Sequence, residues 1–476
     1  MNGIQEADHE LYAVRASWVV PMTGGSSDDL LEDGIVLFRG SIILSVGVFD
    51  SVQLDPSVPV LHLEDQIIIP GLVNCHTHSG MSLLRGFADD MSLHEWLSDA
   101  VWPAESKFVN PDYIRVGTKL AIYELLKTGT TTFLDQYFHC DVAAEVAEKV
   151  GIRIGCGEPI IDFHDGHLHN KIERAFEQVA LFAGTHNPDY VIPLINTHAC
   201  YTVPEDGLEL VSARAKALGT KVNIHLHESQ HECDHYADTH AGKSAFQTLI
   251  DAGLFNSNLI AAHCVCLSQS ERELLRTHKV NVVHCPKSNM KLASGICPVQ
   301  SLINAGVNVA LGTDGACSNN GLSMLSEMQA AALVGKTVRS NSGVAQQYVA
   351  GGDATAVSCH TALRMATYNG AIALGMEDRI GSIEPGKWAD FVAIDLSSPE
   401  CQPVFDPVSA LVYTTGAKVS NVWIGGRWLV KNGSVSADLD LDMEQVKSVG
   451  RDIADFQRRR KKEQQARLES ILSQSS

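Results

Sequence analysis

Between about residues 71 and 372 the chain repeats one local unit, a short apolar run followed by a stretch of helical texture. The runs read TTTFLD, RIGCGEPII, YVIPLINTH, KVNIHLHE, NLIAAHC, VNVVHC and VNVALGTD, and one more ahead of them ends in NCHTH. Strands that alternate with helices make parallel βα units. About eight such units predict an α/β fold of the (β/α)8 TIM-barrel type. Polar residues gather at the C-terminal ends of the runs, the end where such barrels carry their chemistry. No internal sequence repeat accompanies the pattern.

The flanks have a different texture. Residues about 10–70 contain LYAVRASWVVPM, GIVLFRGSIILSVG and VLHLEDQIIIPG, which alternate like strands between Gly turns. The same texture returns in IGSIEPGKWADFVAIDL and VSNVWIGGRWLV. A chain of 476 residues exceeds the usual size of one core. The expected organisation is a β-sandwich domain from 1–70 with 373–440, a barrel over 71–372, and a helical tail over 441–476. The tail is charged, and its basic cluster Arg458–Lys462 is short and set among acids, so a solvated or packing helix is expected.

Charge narrows the partners. A net charge of −20 and a pI near 5.4 repel phosphate backbones and anionic membrane surfaces. Neither nucleic acid nor a membrane is expected, and a small neutral or cationic metabolite is. No apolar run reaches membrane-spanning length, and the acidic N-terminal stretch does not read as a signal peptide. The 12 Cys then read as free thiols in a reducing, cytoplasmic setting, with Cys264 and Cys266 in the core. A homodimer or higher homo-oligomer is the expected assembly, as for most soluble enzymes.

The strand ends carry a pattern. The first gives His76 and His78, which as i and i+2 on a strand share one face. The fifth gives His225 and, three residues on, Glu228; the sixth gives His263; the eighth gives Asp314. Three imidazoles and a carboxylate suit one divalent ion, Zn²⁺ first and Fe²⁺ second. The expected ligands are His76, His78, His225 and Asp314. Such an ion lowers the pKa of a bound water to about 7. A single strand-end His is more often a hydrogen-bonded structural residue. Among the 20 His, His164, His167, His169, His231, His235 and His240 read as loop or surface residues. Several independent strand ends that all deliver ligand types are harder to explain that way. His227 alternates with His225 and is expected to pack away from the centre. A two-metal site would call for a Lys after the fourth strand, where INTHAC offers His198, so one ion is expected.

The segments PGLVNCHTHSGMSLLRGFADDMSLHEWL, HLHES, AAHC, HCPKSNMKLASGICPV, LGTDGACSNN and RIGSIEPGKWADFVAIDL together resemble the amidohydrolase superfamily. More closely they are similar to the 5'-methylthioadenosine/S-adenosylhomocysteine deaminase family, in its bacterial methylthioadenosine deaminase-like branch. The resemblance covers about 10–435. It implies a metal-dependent hydrolytic deaminase of adenosine-type nucleosides. The first substrate would be 5'-methylthioadenosine, giving 5'-methylthioinosine and ammonia, with S-adenosylhomocysteine or adenosine weaker. It further implies His76, His78, His225 and Asp314 as metal ligands, Glu228 as the acid for ring nitrogen N1, and His263 as the residue holding the attacking water. Asp314 would also relay the water's proton. Glu105 in WPAE would grip the ribose hydroxyls, His198 would touch substrate, and Trp96 and Ser318 would line the purine pocket.

Each role has a plainer rival. Glu228 sits on the opposite pleat from His225 unless the strand has ended, and can serve instead to orient that histidine. His263 can be a core histidine. Glu105 can cap or ion-pair at a helix start, Trp96 can pack with Leu93 and Leu97, and Ser318 can be an N-cap. Other functions on the same scaffold are a triazine hydrolase, a guanine- or pterin-type ring deaminase, and a catalytically dead scaffold. One departure from the family pattern matters: GEPIIDFHDGHLHN has no Arg to hold a substrate carboxylate, and Glu158 stands where one is expected. A neutral 5' group is therefore favoured over a charged tail.

Overall fold

The computed structural model describes residues 11–26, 28–162, 166–338 and 352–474, with 464–474 described as backbone only. Strands form at all eight expected runs. Leu72–Thr77, Thr130–Asp135, Val222–Leu226, Leu259–His263, Asn281–His284 and Val309–Leu311 are continuous, whereas the third and fourth are broken into Arg153–Cys156 with Pro159–Ile160 and Val191–Pro193 with Ile195–Ala199. Every pairing among them is parallel.

The breaks divide the hydrogen bonding into a four-stranded and a six-stranded parallel sheet. The first halves of the third and fourth strands pair in one sheet and their second halves in the other. Gly157 lies at the break because the fourth strand passes too close for a side chain: a Cβ there would sit 2.0 Å from the Leu194 carbonyl oxygen. Just past the eighth strand, the Asp314 N–H donates to the carbonyl of His76 near the end of the first strand at 2.9 Å. The result is a TIM-barrel-like α/β domain.

The covering helices begin and end on local signals. Gln269–Thr277 opens with a capping box, in which Ser268 Oγ accepts from the Glu271 N–H and the Glu271 carboxylate accepts from the Ser268 N–H. Glu205–Leu218 stops at Gly219, whose φ of 65° is left-handed. Inner helix faces bury Val146, Phe176, Leu208 and Leu275 against the strands.

Both chain ends enter one eight-stranded mixed sheet. Leu11–Val19, Leu31–Arg39, Ile42–Val48 and Val60–Pro70 come from the N-terminal side. Phe391–Asp395, Lys418–Ile424, Arg427–Lys431 and Ser434–Val435 come from the C-terminal side. They join where Val60–Pro70 pairs antiparallel with Phe391–Asp395. The ladder is continuous, and the strand period of two separates two apolar clusters. Val14, Val36, Phe38, Phe391 and Trp423 fall in one and Ala13, Ile35 and Leu37 in the other. Arg153, on the third parallel strand, ties this sheet to the helical domain. It donates to Asp390 at 2.6 and 2.8 Å and stacks on Trp388, with the ion pair almost fully buried.

The last helix, Met443–Gln474, packs back on the molecule through Ile453 and Phe456. Among the described residues no helix is long and apolar enough to cross a membrane.

Candidate active site

The C-terminal ends of the parallel strands bring His76, His78, His225, His263 and Asp314 together. Ring centroids lie 4.9 Å apart for His76 and His78, 4.8 Å for His76 and His225, and 5.4 Å for His76 and His263. Asp314 Oδ1 is 3.1 Å from His78 Nε2 and 3.6 Å from His76 Nε2. His76, His225 and His263 present ligand-type atoms within 4.8 Å of one another, and so do His76, His78 and Asp314. The four residues expected to hold a metal thus converge, and His263 stands beside them.

Contacts behind the cluster decide which ring nitrogens face it. His78 Nδ1 meets the Gln136 carbonyl at 2.6 Å, His225 Nδ1 the His198 carbonyl at 2.8 Å, and His263 Nδ1 the Asn289 side-chain oxygen at 2.9 Å. A carbonyl oxygen only accepts, so each Nδ1 donates and each Nε2 is the nitrogen that faces the cluster. His76 is fully buried with neither ring nitrogen hydrogen-bonded. Burial holds the pKa of His76 and His225 well below the usual range, so both are neutral bases. For His78 burial works downward, but the hydrogen bond and charge of Asp314 outweigh it and set the value at about 9. Burial would raise the Asp314 carboxyl, yet His78 and the neighbouring imidazoles hold it well below its usual range. Its Oδ1 accepts from the Gly315 N–H at 2.7 Å, and its Oδ2 from Ser288 and Ser318 at 2.6 and 2.9 Å. A buried, unpartnered imidazole among lone pairs and an ionised carboxylate is a donor set that fits a borderline divalent ion.

Strand Val222–Leu226 ends before Glu228, and His227 adopts a left-handed φ of 50°. That turn removes the pleat argument against Glu228 and points its carboxylate into the cavity, with Oε2 3.7 Å from His263 Nε2. Burial raises the Glu228 pKa. Glu232 holds the turn: its two oxygens accept from the His227 and Glu228 N–H groups at 3.2 and 2.8 Å. The sequence reading missed Glu232, although Ser229-x-x-Glu232 is a capping-box pattern that could have found it. It also missed Gln136, Asn289 and Ser288, for which no local pattern exists. His227 packs on Phe246 and donates to the Cys266 carbonyl, away from the centre as expected.

Above the cluster lies a cavity of about 600 Å³. Trp96, Glu105, His198 and Glu228 line it, together with Tyr137, Phe138, Glu158 and Ile161. Glu105 accepts from the Tyr137 hydroxyl at 2.7 Å, and burial pushes its carboxyl up to about 7. Burial takes His198 down to about 4, with Nδ1 against Thr202 Oγ1. Ser318 does not line the cavity. It is buried one turn into Ala316–Asn319, where Gly315 is the N-cap, and it braces Asp314 instead. The expected pocket-wall role is therefore corrected: its helix turns the hydroxyl inward. Glu158 accepts from the Cys140 N–H at 3.3 Å, at the start of helix Cys140–Val150. Among the described residues lining the cavity, none is Lys or Arg. His164 lies outside the described residues.

A family model described as the amidohydrolase family matches residues 67–429, the span that carries all these strand ends. The chain belongs to the amidohydrolase family. This amidohydrolase is 42% identical over 430 residues to a 5-methylthioadenosine/S-adenosylhomocysteine deaminase of Teredinibacter turnerae, covering 88% of this chain and 92% of that one. It also resembles the crystal structure of an adenosine deaminase from Xanthomonas campestris with bound zinc, at 37% identity and a TM-score of 0.85, over 94% of this chain and 99% of that one. An atrazine chlorohydrolase from Arthrobacter aurescens complexed with zinc shares the fold, with a TM-score of 0.79 at 23% identity over 93% and 99% of the two chains.

Proposed function

We propose that this amidohydrolase deaminates 5'-substituted adenosines, converting 5'-methylthioadenosine and water to 5'-methylthioinosine and ammonia. The observation that carries the reading is the convergence of His76, His78, His225 and Asp314 beneath a cavity that Glu228 enters. The deaminase name of the Teredinibacter turnerae relative supports the same substrate class.

His76, His78, His225 and Asp314 would hold one divalent ion, zinc first and iron second. When bound, the ion supplies the Lewis acidity that makes a water reactive near neutral pH. The chain's own residues do the rest. His263 hydrogen-bonds the attacking water and orients it toward C6 of the adenine ring. Attack at C6 ends the ring's aromaticity and puts charge on N1, which must then take a proton. Glu228, whose pKa burial raises, donates that proton and recovers one from the new C6 hydroxyl as it becomes a carbonyl. Asp314 takes the water's proton and passes it to the departing amine, which leaves as ammonia. Glu105 binds the ribose hydroxyls, Trp96 lines the purine pocket and His198 touches the substrate.

The cavity favours a neutral 5' group. A carboxylate tail would meet Glu158 and no cationic side chain among the described lining residues. The S-adenosylhomocysteine reaction is accordingly the weaker one. We further read the two parallel sheets of 71–372 as one closed barrel, supported by the Asp314–His76 backbone bond. Segments 1–70 and 373–440 form a separate β domain whose continuous sheet folds into a sandwich. We take the enzyme to be a cytoplasmic homo-oligomer.

The test is turnover by zinc-loaded protein, read as ammonia released from 5'-methylthioadenosine, S-adenosylhomocysteine, adenosine and guanine and as chloride released from a chlorotriazine. The highest kcat/KM is expected for 5'-methylthioadenosine. A higher value for guanine or the triazine would overturn the reading.

A further inference from the structure

Glu105 is held over the cavity by an unusual segment. It sits on helix Trp102–Phe108, which continues directly from a π-helical turn, Trp96–Val101, that carries Trp96 and Leu97. A π turn is wide and rarely stable by itself, and it needs support from neighbouring structure. The inner side of this segment faces the cavity, so packing there has to come from the outside.

The outside support comes from the far end of the chain. The last helix, Met443–Gln474, begins beyond the residues 67–429 matched by the family model. Phe456 meets Phe108 edge-to-face with centroids 5.5 Å apart, and Lys107 Nζ lies 5.0 Å from the Phe456 ring centroid. Gln457 donates to the Phe87 carbonyl, in the turn that leads into the segment. Ile453, one turn earlier, is buried. Just before the helix, the Asp440 carbonyl accepts from Lys119 Nζ at 2.9 Å and moors its start on Pro111–Lys127.

Building on the role proposed for Glu105, we infer that the C-terminal helix is a positioning element for substrate binding, with Phe456 holding helix Trp102–Phe108 at the depth where Glu105 reaches a nucleoside. Phe108 and Glu105 stand three residues apart on that helix, so a shift at one moves the other. Glu105 hydrogen-bonds Tyr137 across the cavity, and a lifted helix would lengthen that bond and admit water. Binding then loses preorganisation, while the metal cluster on the strand ends is untouched.

The experiment compares Phe456→Ala and Phe456→Leu with the full-length parent. Phe456→Ala is expected to raise KM for 5'-methylthioadenosine roughly three- to tenfold, the size of effect one aromatic pair carries. Bound zinc and kcat stay near parent values, and Phe456→Leu recovers part of the loss. In a Glu105→Ala background Phe456→Ala adds nothing further to KM. Hydrogen exchange, which needs no turnover, should show faster exchange across 93–108 in Phe456→Ala with the parallel strands unchanged. An unmoved KM, the same KM increase without Glu105, or unaltered exchange over 93–108 would overturn the inference. A parent protein that releases no ammonia would overturn the deaminase reading instead, and the exchange result would still decide this one.

Discussion

Glu228 Oε2 stands 3.7 Å from His263 Nε2, although Glu228 lies two residues past one strand and His263 ends the next. The left-handed turn at His227 creates this approach, and Glu232 pins it through both backbone N–H groups. If Glu228 is the proton donor, Glu228→Gln keeps its shape and loses its acidity. A fall in kcat of about 10²- to 10⁴-fold is expected, the usual contribution of general acid–base catalysis. KM and bound zinc should change little. Steady-state kinetics with metal analysis checks this, and loss of the metal in the variant would argue for a structural role.

Glu105 gives a pH dependence. Burial sets its carboxyl at about 7, against an ordinary value of 4.5. In the ribose-binding role proposed for it, the group is neutral and a weak partner below about 7, and above it the carboxylate accepts from both hydroxyls. The kcat/KM for 5'-methylthioadenosine should therefore rise between pH 6 and 8, mostly through KM. Glu105→Gln should raise KM and flatten that limb, and a limb that survives the substitution would assign it to another group.

Glu158 faces the cavity as an acid, and the described lining residues include no Lys or Arg. Removing its charge in Glu158→Gln should raise kcat/KM for S-adenosylhomocysteine relative to 5'-methylthioadenosine by roughly tenfold, the scale of a relieved like-charge contact. A parent enzyme that already prefers the charged substrate would contradict this.

Arg153 and Asp390 form an ion pair with side chains only 2% and 1% exposed. Asp390→Ala would strand a buried guanidinium and should cost about 3–5 kcal/mol of stability. Thermal unfolding would record this as a lowered Tm, with the candidate metal site unaffected in whatever protein folds.

The parallel strands were legible because each is a short apolar run closed by a polar residue, and the spacing of His76 and His78 shows on a strand of either sheet. The turn at His227 was not legible. A left-handed φ at a histidine has no local pattern, so the pleat rule left the direction of Glu228 open unless the strand had ended, and the strand stops at Leu226. Ser318 was misplaced for a related reason, since one helical turn decides whether its hydroxyl faces the cavity or Asp314. The Arg153–Asp390 pair joins residues 237 apart in sequence, and the continuous eight-stranded sheet depends on a similar long-range pairing. Such partners are chosen by the fold.

The most direct test of a metal-dependent deaminase is a zinc titration of the chelator-stripped protein, following ammonia release from 5'-methylthioadenosine. Activity should be absent without metal, rise linearly with added zinc, and level off at one ion per chain, with His76→Ala showing no such rise. Full activity in the stripped protein, or a zinc-saturated protein that releases no ammonia, would contradict the account.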